Sequence, residues 1–322
     1  MSKKIFITRK IPEVGISMLK SKGYEVEVNP KDKALSQKEL IKYLQKGQHD
    51  AVLCLLTDKI DANVFEKAPS VKIFANYASG FDNIDVAEAK KRGVIISNAP
   101  ANSTSEAVAQ HALAMMLALA TRITEADTFV RKGKYKGWMP MNLIGVDLLG
   151  KTLGLVGAGR IGSRVAFYAK ALGMKIIYTD VAKSEQLEKD CGAVFYATPE
   201  ELLRNSDVVS LHVPLLDSTK HLINASRLAI MKPASFLINT SRGPVIDEKA
   251  LVEALKNNVI GGAALDVFEF EPKLSKGLTK LSNVILTPHI ASASITARNE
   301  MAEIAANNII DFIEGRKPRN AV

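Results

Sequence analysis

The 322-residue chain is 47% hydrophobic and 24% charged, with a formal net charge of +9, which is ordinary for a soluble globular protein of about two domains. Lys and Arg are scattered among the acids rather than collected in a run, which argues against a nucleic-acid partner and for a solvated surface that steers anionic substrates. Cys54 and Cys191 lack partners at ligand spacing and the longest apolar stretch, Ala112 to Ala120, is too short to span a bilayer, so no disulfide framework, zinc site or membrane partner is expected.

The opening MSKKIFITR passes directly into a strand-like run without an apolar signal core, so a cytoplasmic protein is expected. KIFIT reads as a strand, followed by a helix from Pro12 to Lys22 that Gly23 stops, then the strand YEVEV. Ser36 with Glu39 three residues later forms a capping box for the next helix. AVLCLL, VKIFAN and VIISN continue as short buried strands with helices between them. Such alternation predicts a parallel sheet covered on both faces. After Asn98 the rhythm changes to one long helical segment from about Ser103 to Arg131, whose centre HALAMMLALA is apolar nearly all round. A helix of that kind is buried on more than one side, and a symmetric partner helix is the expected cover, giving a homodimer joined through Ser103 to Ala120.

The second alternating series starts at Thr152, and two phosphate-binding patterns compete there. Gly145, Gly150, Lys151 and Thr152 satisfy the pattern of a nucleotide-triphosphate loop, but Lys151 and Thr152 precede a strand where that loop must follow one. Gly157, Gly159 and Gly162 have the right context: the strand Thr152 to Val156 runs into them, and Arg160 to Leu172 has helical spacing, ending at Gly173. In a dinucleotide-binding unit Gly157 makes the turn, Gly159 lets backbone approach a pyrophosphate, and Gly162 lets helix and strand pack closely. The following strand, MKIIYTD, ends in Asp180, placed to accept from both adenosine ribose hydroxyls. That carboxylate would repel a 2′-phosphate, so NAD as cofactor, with NADH preferred over NADPH, is expected; the nearest cation is Lys183. The strands AVFYA, DVVSLHV, SFLINT, GGAALDV and NVILTP follow, ending near Pro288, and a final helix runs from Ile295 to Glu314. The expected fold is α/β with two Rossmann-like or flavodoxin-like domains. A central doubly wound NAD-binding domain, residues 102–288, is inserted into a discontinuous substrate domain, residues 1–101 plus 289–322, with ligand in the cleft.

Three segments stand out at strand ends: NTSRGPVID with Arg242, LDVFEFEP with Glu271, and TPHIAS with His289. With these, GKTLGLVGAGRIG, SDVVSLHVPLLDST and MKPASFLINTSRGPVIDEKALVEAL make the chain resemble the D-isomer-specific 2-hydroxyacid dehydrogenases over essentially its whole length. The resemblance implies a split two-domain fold and a catalytic trio of Arg242, Glu271 and His289. The chemistry is coherent on its own terms. Arg242 offers a planar fork for a carboxylate. Histidine, whose unperturbed side chain titrates at about 6.5, is a natural general acid, which fits position 289, and Glu271 paired with it would favour imidazolium and orient the ring. Taken singly, Arg242 reads as a loop salt bridge, Glu271 as a cap before Pro272 and His289 as a satisfied boundary histidine; their joint presence with a dinucleotide motif favours the catalytic reading.

The resemblance also implies cofactor contacts at Thr104, Arg160, Ile161, Val213, Pro214, Thr219, Thr240 and Asp266. It makes NYASGFDNID a substrate loop whose backbone N–H groups around Ser79 and Gly80 hold a carboxylate, alongside Arg242 and His289. Trp138 lies in a segment that in some relatives reaches toward the partner subunit's site, or it only packs. His49, His111, His212 and His221 read as structural, with no metal spacing, and Gln110 stands where the family often has Glu. FITRKIPEVGISML and GWMPMNLIGVDLLGKTLG look most like glyoxylate and hydroxypyruvate reductases. Lactate, phosphoglycerate and phosphite dehydrogenases share the trio, whereas formate dehydrogenases have Gln where Glu271 stands, and the end at Val322 leaves no room for a regulatory domain. The rival reading of another class is an NAD-sensing binding protein like the corepressors of this fold, which carry long tails.

Overall fold

The structure is a computed structural model that describes residues 2–322. Its contacts divide the chain into two compact units: residues up to Thr104 together with Ala293–Val322, and Ser105–Ser292.

In the first unit the strands are β1 (Lys4–Ile7), β2 (Glu25–Val28), β3 (Ala51–Cys54), β4 (Ile73–Asn76) and β5 (Ile95–Ser97), all parallel in the order β2-β1-β3-β4-β5. Between them run α1 (Glu13–Ser21), α2 (Gln37–Gly47), α3 (Ala62–Lys67) and α4 (Val86–Lys91). Ser36 opens α2 with the expected capping box to Glu39. Side chains alternate across the sheet: Ile5 and Ile7 face a core with Leu19 of α1, while Phe6 faces the opposite core with Leu40 and Leu44 of α2.

The expected single helix from Ser103 to Arg131 is two helices, α5 (Asn102–Ala120) and α6 (Ile123–Arg131), bent by 63°. The cause is not local. Ala120 O accepts from Val146 N at 2.8 Å, a contact with chain more than twenty residues on, and Arg122 takes a left-handed conformation with φ of 55°. Arg122 then pairs with Glu125 to start α6, Nη2 to Oε1 at 2.8 Å. Among the described residues no single helix is long and apolar enough to cross a membrane.

The second unit holds β6 (Thr152–Val156), α7 (Arg160–Ala171), β7 (Lys175–Thr179), α8 (Glu185–Cys191), β8 (Val194–Phe195), α9 (Pro199–Asn205), β9 (Val208–Leu211), α10 (Ala225–Ala229), β10 (Phe236–Asn239), α11 (Glu248–Lys256), β11 (Gly262–Leu265) and β12 (Val284–Leu286). The chain closes in the first unit with α12 (Ile295–Ile313). The seven parallel strands of the second unit lie in the order β12-β11-β10-β9-β6-β7-β8, the doubly wound pattern with its switch point between β6 and β9. Ala112 and Met116 of α5 pack with Val165 and Ala169 of α7 on one face; Leu202, Leu228, Leu251 and Leu255 cover the other. Gly150, Lys151 and Thr152 form the turn into β6, with Thr152 N donating to Asp207 Oδ2, so the triphosphate pattern opens no helix. Trp138, Met141 and Leu149 are 84%, 79% and 76% exposed on the segment after α6.

Candidate active site

The glycine motif sits at the carboxyl end of β6, at the switch point. Gly157 has φ of 97°, and a Cβ there would lie 2.6 Å from the carbonyl oxygen of His212 just after β9. Gly162 presses against the turn, its hypothetical Cβ 2.2 Å from Gly157 O. Gly159, by contrast, has nothing within 4 Å of that position, and as the residue before α7 it makes no side-chain cap. The first N–H groups of a helix lack intrahelical acceptors, so open space in front of Gly159 is what a pyrophosphate needs. Asp180, just after β7, accepts from Ala158 N at 2.7 Å through Oδ2 and from Val181 N at 2.6 Å through Oδ1, which holds the carboxylate beside the turn. Lys183 lies over the Phe195 ring at 5.6 Å. Thr240 Oγ1, after β10, is buried without a hydrogen-bond partner, as is Thr104 Oγ1 on α5. These features fit a dinucleotide. Arg160 is exposed, Ile161 packs on the core, and Thr219 closes the Val213–Pro214 loop by donating to Pro214 O at 2.6 Å. The His212 imidazole bonds Ser210 Oγ at 2.9 Å, and burial lowers its pKa to about 4.

Because β10, β11 and β12 are adjacent and parallel, the segments that follow them emerge at one sheet edge. Arg242 follows β10, Glu271 follows β11 and His289 follows β12. His289 Nδ1 lies 2.9 Å from Glu271 Oε2, and Phe268 N donates to the other oxygen at 3.0 Å. Burial pushes the Glu271 carboxyl up, but the hydrogen bond and charge of His289, the Phe268 N–H and the charge of Arg242 together hold it below the usual carboxylate range. Arg242 extends from a turn in which Asn239 Nδ2 donates to Arg242 O at 2.9 Å.

His289 has φ of 55°, a conformation L-residues rarely adopt. Asp266, fully buried at the end of β11, holds it there. Its Oδ1 accepts from Thr287 Oγ1 at 2.6 Å and Ile290 N at 2.9 Å, its Oδ2 from Ala291 N at 2.7 Å, and its own carbonyl from His289 N at 2.8 Å. His111 joins this turn, Nε2 to Thr287 Oγ1 at 3.1 Å, while Gln110 beside it reaches only Glu106 at 3.0 Å. Spacing in the sequence carried no sign of the His111 contact. In the first unit, the carbonyls of Ser79 and Gly80 are held by Asn98 Nδ2 at 2.7 Å and Asn76 Nδ2 at 2.9 Å, which fixes the turn. Among the described residues no group of His, Cys, Asp and Glu has the makings of a metal site.

A doubly wound sheet with an open glycine turn, a carboxylate held beside that turn and an Arg, Glu, His set at one sheet edge fits an NAD(H)-binding oxidoreductase. The sequence model of the D-isomer specific 2-hydroxyacid dehydrogenase NAD binding domain matches residues 113–291. The glyoxylate reductase of Thermococcus litoralis is 49% identical, the match covering 100% of this chain and 97% of that one. Among solved structures, a glyoxylate reductase from Paecilomyes thermophila superposes with a TM-score of 0.87 at 32% identity, covering 100% and 98% of the two chains. An NADPH-dependent glyoxylate/hydroxypyruvate reductase from Sinorhizobium meliloti gives 0.84 at 30% identity, covering 99% and 97%. The chain belongs to the D-isomer specific 2-hydroxyacid dehydrogenase family.

Proposed function

We propose that the protein reduces small unbranched 2-oxo acids, glyoxylate and hydroxypyruvate foremost, to the D-2-hydroxy acid with NADH. The observation that carries this is the 2.9 Å contact between His289 Nδ1 and Glu271 Oε2 at the strand edge that Arg242 shares. With Nδ1 committed to Glu271, Nε2 is the nitrogen left to deliver a proton to the substrate oxygen. Glu271, held ionised, supports imidazolium as that proton is loaded. Arg242 clamps the carboxylate and polarises the carbonyl. When bound, the nicotinamide supplies the hydride.

Gly157, Gly159, Gly162 and Asp180 hold the dinucleotide on this reading, and residues 102–288 serve as its domain, with residues 1–101 and 289–322 serving the substrate. Asp266 acts by holding the His289 turn. The Asp180 carboxylate, held beside the glycine turn, supports NADH over NADPH. The exposed apolar run with Trp138, Met141 and Leu149 supports a homodimer through α5 and the segment after α6. Because reduction needs imidazolium and oxidation imidazole, reduction is favoured at the lower pH. Initial rates for a panel of 2-oxo acids with NADH test the proposal: glyoxylate and hydroxypyruvate should lead, and preference for a bulky or phosphorylated acid would displace it.

A further inference from the structure

Glu248 opens α11 and is 2% exposed, yet among the described residues its carboxylate is in no ion pair. It is satisfied by backbone instead. Oε2 accepts from Glu269 N at 2.8 Å and Oε1 from Ser275 N at 2.6 Å. Glu269 returns the contact, its Oε2 accepting from Glu248 N at 3.1 Å while Oε1 takes His221 Nε2 at 2.7 Å. A carboxylate is buried this completely only when its oxygens are satisfied, and here the donors are the two ends of one loop. That loop carries Glu271. The same clasp joins the segment after Arg242 to the segment before Glu271, where Gly243 packs so closely that a Cβ would lie 1.9 Å from the Phe268 carbonyl.

We infer that Glu248, through Glu269 and Ser275, is a positioning residue that sets the Glu271 carboxylate against His289 and so governs proton delivery; this rests on the proposed roles of Glu271 and His289. A side chain that ties a loop at both ends fixes the atoms between them, and a misplacement of about an ångström at a reacting group costs up to about a hundredfold in rate. Glu248→Gln keeps the volume but sets an NH2 group against one of the two N–H donors.

The test is a double-mutant cycle with Glu271→Gln, read as kcat for glyoxylate reduction together with KM and the Kd for NADH. Glu248→Gln alone should lower kcat about 10- to 100-fold, with KM and NADH Kd within about twofold of the parent. In the Glu271→Gln background it should change kcat less than about twofold, because the group it positions is gone. An equal loss in both backgrounds, or no loss in either, overturns the inference. If Glu248→Gln fails to melt cooperatively, Glu269→Gln takes its place in the cycle with the same expected and overturning results. Should Glu271→Gln alone leave kcat unchanged, the proposed function fails and the inference falls with it; a normal loss there with additive behaviour at residue 248 removes the inference alone.

Discussion

Replacing Gly243 by alanine tests how tightly the Arg242 turn and the Glu271 loop are coupled. A Cβ at this position would lie 1.9 Å from both the carbonyl carbon and oxygen of Phe268 and 2.4 Å from Glu269 N, all backbone atoms. Ordinary contact begins near 3.4 Å, so the two segments must part by about 1.5 Å. Neither can swing away freely, since Glu269 is tied to Glu248 and His221, and His221 N donates to Pro244 O at 2.8 Å. The overpacking should cost about 1–3 kcal/mol of stability. A displacement of more than an ångström between Arg242 and Glu271 should lower kcat by about a hundredfold. Gly93→Ala is the control: its φ of 67° adds backbone strain, but nothing lies within 4 Å, so it should lose stability of about 1–2 kcal/mol and keep its kcat. Steady-state rates at saturating NADH and glyoxylate, beside thermal melts, read both effects. Gly243→Ala with kcat within about threefold of the parent and an unchanged Tm would refute the coupling.

Asp180→Ala should raise the ratio of kcat/KM for NADPH over NADH by about tenfold or more, as removal of one unfavourable charge contact predicts; an unchanged ratio would place discrimination elsewhere. His212, with a folded pKa of about 4 against an ordinary 6.5, binds its proton more readily in the unfolded chain. Its penalty is absent above about pH 6.5 and grows as pH falls toward 4, to at most about 3 kcal/mol. Denaturant melts at pH 7 and 4.5 should therefore show a smaller acid loss for His212→Asn than for the parent, and equal losses would count against the desolvated neutral ring. Light scattering at micromolar concentration should give twice the 35.0 kDa chain mass, with Met141→Asp plus Leu149→Asp shifting it toward one; a single-chain mass for the parent would rule out the dimer.

Much of the fold is legible in the sequence because parallel strands buried on both faces read as short apolar runs, as AVLC and FLIN do at β3 and β10. Capping at Ser36 and the turn at Gly157 are legible because each rests on residues within one motif. The break after Ala120 is not, for Thr121 and Arg122 carry no Gly or Pro signal and the carbonyl that ends the helix is claimed by Val146. The positions of Arg242, Glu271 and His289 at strand ends follow from the sequence, but the contact between Glu271 and His289 depends on β11 and β12 lying side by side. The supports are least legible. Asp266 grips the His289 turn across more than twenty residues, and Glu248 reaches Glu269 and Ser275 over similar separations, so no local pattern announces either.

The most direct test of the account is kcat for glyoxylate reduction by the parent and by His289→Gln, with NADH affinity measured on both. His289 is the proposed proton donor, and the groups proposed to hold the cofactor, Gly157, Gly159 and Asp180, follow other strands, β6 and β7. His289→Gln should therefore lose about two to four orders of magnitude in kcat, the usual worth of a positioned acid, while NADH Kd stays within about twofold. Near-parental turnover by the variant would contradict the account. So would a parent protein that binds NADH tightly and reduces no 2-oxo acid, a result that would make the chain a dinucleotide sensor.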